Sequence, residues 1–90
     1  MFIIEDELHD EKQEGEFATF DDAIAELRRR AAIPWDAEPN QAPCAFWETC
    51  GRRYEVLELD TPRSGRREVH RTTVLEMSAK GIHWSPGFEP

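Results

Sequence analysis

The run Thr19-Phe20-Asp21-Asp22-Ala23-Ile24-Ala25-Glu26-Leu27-Arg28-Arg29-Arg30-Ala31 sets the architecture, because it alone carries a strong helical period. Phe20, Ala23, Ile24, Leu27 and Ala31 fall at i, i+3, i+4, i+7 and i+11, one continuous apolar stripe. Thr19 suits the N-cap, and Asp22 three residues on completes a Thr-x-x-Asp variant of the capping box. Asp21 and Asp22 in the first turn and Arg28, Arg29 and Arg30 in the last complement the helix dipole. Pro34 ends the helix, since the residue before a proline avoids the helical region. The three arginines are expected to form a solvated helix end rather than a phosphate site.

Upstream, Phe2 to Leu8 alternates weakly and predicts a first strand, and His9 to Glu16 reads as a polar connection. Residues 34–43 hold three prolines and predict an ordered loop, with Trp35 tucked onto the helix end. From Cys44 onward the pattern is β. A three-residue loop Thr49-Cys50-Gly51 would set Glu48 against Arg52, Trp47 against Arg53, Phe46 against Tyr54 and Cys44 against Val56. A two-residue loop at Ser64-Gly65 pairs Glu58 with Arg71, Val56 with Thr73 and Tyr54 with Leu75. A turn at Lys80-Gly81 sets Ala79 against Ile82 and Met77 against Trp84. These registers sort the side chains consistently. Cys44, Phe46, Tyr54, Val56, Leu75, Met77, Ile82 and Trp84 share the face that receives the helix. Trp47, Arg53, Leu57, Leu59, His70, Val74 and His83 share the other. The expected fold is α+β: one domain spanning residues 1–90, in the order β-α-β-β-β-β. One helix packs on a face of a mainly antiparallel sheet of four to five strands.

Ninety residues support a modest core. The net charge is −8, and its distribution is uneven: residues 1–27 carry ten acids against Lys12, whereas the rest is nearly balanced. Such a chain repels nucleic-acid and membrane phosphates. The longest apolar run near the start, Phe2-Ile3-Ile4, meets Glu5-Asp6-Glu7 at once, so neither a signal peptide nor a membrane span is read there. The expected setting is the cytoplasm, where Cys44 and Cys50 stay reduced. Nine of the eleven basic residues are arginine, the bias a GC-rich bacterial genome produces.

No segment carries a catalytic or cofactor signature, and the chain shows no specific family resemblance. On a strand, Cys44 and Cys50 would stand about 20 Å apart, too far for a disulfide unless the segment is not a strand. Their spacing is also unlike that of zinc pairs. His70 and His83 with Glu76 or Cys50 make a weak metal candidate. Trp47 and Arg52, Arg53, Arg66, Arg67 and Arg71 suggest base stacking, but the interleaved Glu48, Glu55, Glu58 and Glu76 oppose it.

One helix covers only one face of a sheet, so the other apolar face should meet a partner. The expectation is a non-catalytic interaction module without cofactor or metal. Its surface comprises Trp47, Arg53, Leu57, Leu59 and Val74, turned toward a second copy or another protein. An RNA or single-stranded nucleic-acid module and a metal- or thiol-dependent small enzyme are the alternatives.

Overall fold

A computed structural model describes residues 1–46, 48–60 and 67–90. Among the described residues, five strands and one helix follow in the order β1 (Phe2–Asp6), β2 (Glu11–Lys12), α1 (Phe20–Ala31), β3 (Arg52–Asp60), β4 (Arg67–Ser78) and β5 (Gly81–Trp84). All strand pairings are antiparallel, in the order β2-β1-β3-β4-β5. The helix packs on one face, so the fold is α+β.

Helix α1 forms where its stripe requires. The Thr19 Oγ1 accepts from the Asp22 amide at 3.1 Å, closing the N-terminus. Ala23, Ile24 and Leu27 are buried against Ile4, Tyr54, Val56, Val74, Leu75 and Met77, with Phe2, Phe17, Phe20, Trp84 and Phe88 around the rim. Each fully buried Leu or Ile stabilises the fold by roughly 1.5–3 kcal/mol. The helix end departs from expectation at one residue. Arg28 and Arg29 are exposed, but Arg30 is buried, its guanidinium 5.3 Å from the Tyr54 ring centroid. It donates to Glu26 and, at 2.7 Å, to Gln13 Oε1. A buried charge persists only when paired and hydrogen-bonded, and those two partners satisfy it.

Three registers need correction. Cys44, Ala45, Phe46 and Glu48 form bends and turns rather than a strand, and a disulfide joins Cys44 to Cys50, whose Cα atoms lie 7.1 Å apart. The Thr49 and Cys50 amides both donate to the Phe46 carbonyl, a turn in place of a ladder. The first hairpin is instead β1–β2, inside the segment expected to be a connection.

Along β3–β4 the Tyr54–Leu75 pair is as expected. Beyond it, Glu55 pairs with Thr73 and Val56 with Thr72, and a second shift follows Glu58. Val74 and Val69 are the unmatched residues of β4. A bulge lets adjacent residues escape strict alternation, so Val74 joins Leu75 beneath the helix and is fully buried there. Finally, the last turn is Ala79-Lys80, with Met77 opposite Ile82 and Leu75 opposite Trp84. A slip of two residues leaves every side chain on its face.

Candidate functional site

Cross-strand neighbours share a face, so the side of β3 turned from the helix carries Arg53, Glu55, Leu57 and Leu59. Two arginines organise it. Arg71 donates to Glu55 Oε1 at 2.5 Å, to both Glu68 oxygens and to Glu5. Arg53 bridges Glu7 at 2.7 Å and Glu76 at 2.8 Å. The hydrogen bond to Arg71 holds the Glu68 carboxyl below its ordinary range, and the bonds to Glu68 and Glu55 push the Arg71 guanidinium upward. This surface is a lattice of closed ion pairs rather than an apolar bed. Its arginines are already engaged by carboxylates.

The expected interaction residues therefore separate. Val74 lies under the helix, which corrects its placement on the far face. Leu57 does sit on that face, but only 4% of it is exposed, so it offers no docking area. Arg53 and Leu59 are half-buried, and Trp47 lies outside the described residues. His70 shares a face with Glu58, while His83 pairs with Glu76 and so with Arg53. The two histidines are on opposite sides and form no common site.

A different surface feature is the length of β4. Strand β5 pairs only with Leu75–Ser78, and the Ser85 amide donates to the Val74 carbonyl at 2.8 Å. From Arg67 to Thr73 the outer edge of β4 faces no strand among the described residues. Val69 there is 56% exposed.

The second feature surrounds Asp6, at the end of β1. Its carboxylate is fully buried and accepts four bonds. The Leu8 and Arg53 amides reach Oδ1 at 3.1 Å each. Oδ2 takes Arg52 Nη1 at 3.0 Å and His9 Nδ1 at 2.5 Å. Arg52 is buried as well. It spends its other donors on Glu11 and on the carbonyls of Pro39, Asn40 and Gln41. The hydrogen bond from Gln13, and after it that from Arg52, holds the Glu11 carboxyl below its ordinary range. Asn40 is buried in turn, its amide nitrogen donating to the carbonyls of Arg30, Ile33 and Pro34. Its Oδ1 accepts from the Tyr54 hydroxyl at 2.9 Å, and burial pushes that phenol up. This network ties the loop between α1 and β3 to the sheet.

It also brings Cys44 and Cys50 to His9. A ring nitrogen of His9 and both sulfurs lie within 4.8 Å of one another. The sequence offered no periodic signal for this cluster, since His9 stands 35 and 41 positions from the cysteines. The clues present were Arg52 and Asn40, polar residues flanking the cysteine pair. Comparison of the chain with protein-family models, curated proteins and solved structures gives no match.

Proposed function

We propose that the chain is a non-catalytic protein-binding module that extends its sheet along the open edge of β4, with a second copy of itself as the partner. The observation that carries this reading is the mismatch between a 12-residue β4 and a 4-residue β5. An open edge presents unpaired amides and carbonyls, a template for another strand. Two such edges can pair antiparallel about a two-fold axis normal to the sheet, an isologous arrangement of the kind closed dimers require.

Half-buried Arg53 and Leu59 stand on the adjoining face and belong to the same proposal as peripheral contacts. Nucleic acid is not the proposed partner, because the net charge is −8 and Arg53 and Arg71 are held by carboxylates. A cytoplasmic setting is part of the proposal, and there the Cys44–Cys50 disulfide would stand reduced.

The test is mass in solution by light scattering across a concentration series. The wild type should reach twice 10.5 kDa, and Val69→Lys should remain at the single-chain mass with an unchanged circular dichroism spectrum. A wild type that stays monomeric throughout, or a Val69→Lys variant that dimerises equally well, overturns the reading.

A further inference from the structure

We infer that the His9–Cys44–Cys50 cluster is a redox-gated site for a thiophilic divalent cation, zinc being the ion its donors suit. The inference is independent of the β4 edge. In the disulfide form the sulfurs are bonded to each other. Opening the bond takes two electrons and two protons, supplied by a dithiol reductant that leaves as its own disulfide. Zn2+ then displaces the two thiol protons and takes a ring nitrogen of His9 as its third protein ligand.

Three observations support the site. The first is proximity: the ligand atoms of all three residues already lie within 4.8 Å of one another. A tetrahedral zinc with Zn–S bonds of about 2.3 Å holds its sulfurs about 3.8 Å apart, so small side-chain movements suffice once the bond is gone.

The second is the orientation of His9. Its Nδ1 lies 2.5 Å from Oδ2 of the fully buried Asp6. A carboxylate accepts from a ring N–H, so the tautomer protonated on Nδ1 satisfies this contact and leaves Nε2 unprotonated for a metal. Metal-bound histidines commonly have this carboxylate behind them.

The third is that the residues flanking both cysteines have anchors besides the disulfide. Cys44 follows buried Ala42 and the carbonyls of Pro39, Asn40 and Gln41 that Arg52 holds. Cys50 precedes Gly51, where an added Cβ would lie 2.6 Å from the Met77 carbonyl, so the backbone there is pressed against β4. Both thiols therefore stay beside His9 after reduction. Three protein ligands leave the fourth position of a tetrahedral ion to water.

The experiment titrates Zn2+ into the full chain, anaerobically, in the oxidised form and after reduction and removal of the reductant. Bound metal is counted by mass spectrometry, and Co2+ serves as a spectroscopic probe. The reduced protein should take up one equivalent, with a sulfur-to-cobalt band in the near ultraviolet, and the oxidised protein none. His9→Ala should weaken binding by about tenfold or more while keeping the sulfur band. Cys50→Ser should lose both uptake and band, and His9→Gln repeats the ligand test if His9→Ala does not fold. No uptake by the reduced protein, equal uptake by the oxidised one, or undiminished affinity in both His9 variants overturns the inference.

Discussion

Tyr54 shows how single residues carry this fold. Its ring is completely buried under the helix, while its hydroxyl donates to Oδ1 of buried Asn40 at 2.9 Å. Tyr54→Phe keeps the ring but leaves that oxygen without its donor, and an orphaned buried acceptor costs about 1–3 kcal/mol. The urea midpoint should fall accordingly with little change in slope. The same substitution has a signature in alkali. Burial raises the Tyr54 pKa above the ordinary 10.0. The folded state thus favours the neutral phenol, and this contribution is complete below the unfolded value and lost as pH rises through the native one. Wild-type stability should decline through that alkaline window more than that of Tyr54→Phe. Equal declines in the two proteins would show that Tyr54 does not titrate in this way.

Elements differ in how plainly the chain announces them. Helix α1 was legible because its cap, stripe and terminal charges all act within a few residues. Thr19→Ala should therefore cost about 1 kcal/mol, read as a lowered thermal midpoint, with the sheet intact. Strands β3, β4 and β5 were legible from alternation, and so was the facing of Tyr54, Val56, Leu75 and Met77. The bulges were not, because a bulge is settled by how two strands fit beneath a third element. Val74 illustrates this: by alternation it belongs with Arg53, yet it joins Leu75, Ala23 and Leu27 in the buried core. Val74→Asp should cost about 3 kcal/mol or more through an unpaired buried charge, whereas Val69→Asp on exposed β4 should cost the single chain little; chemical denaturation of both variants at a dilution that leaves the chain monomeric checks this. The segment from Cys44 to Cys50 defeated alternation for a related reason. The loop that leads into it is tied down by Arg52, which holds the carbonyls of Pro39, Asn40 and Gln41 and reaches Asp6 across 46 positions, and no local pattern encodes those contacts. The candidate site was hidden with it, since His9 meets the cysteines only after the loop has docked. A short cross-linked loop restrains the unfolded chain by only about 2 kcal/mol, so Cys44→Ser with Cys50→Ser should stay folded at a lower urea midpoint.

For the whole molecule, the acidic balance and the ion-pair lattice make opposite demands on pH. A net charge of −8 repels itself, and acid would relieve that repulsion. Several carboxylates, however, are held ionised by the fold. Glu11 is lowered by Gln13 and Arg52, Glu26 by Arg29 and then Arg30, and Glu68 by Arg71. Each depressed native pKa means a contribution present above the unfolded value and lost as pH falls through the native one. The window therefore opens near the ordinary 4.5 and extends below it. Glu68 is solvent-exposed, so its share is small. Glu11 weighs more, because Arg52 is buried and would lose a partner at the anchor of the loop. The urea midpoint should hold from about pH 7 to about pH 5 and fall steeply toward about pH 3. Glu11→Gln should begin lower at neutral pH and fall less over the same range, because it has one fewer carboxylate to protonate. If the wild type instead becomes more stable below 4.5, relief of self-repulsion outweighs the paired carboxylates, and the ion-pair face contributes less to folding than to the shape of the surface it presents.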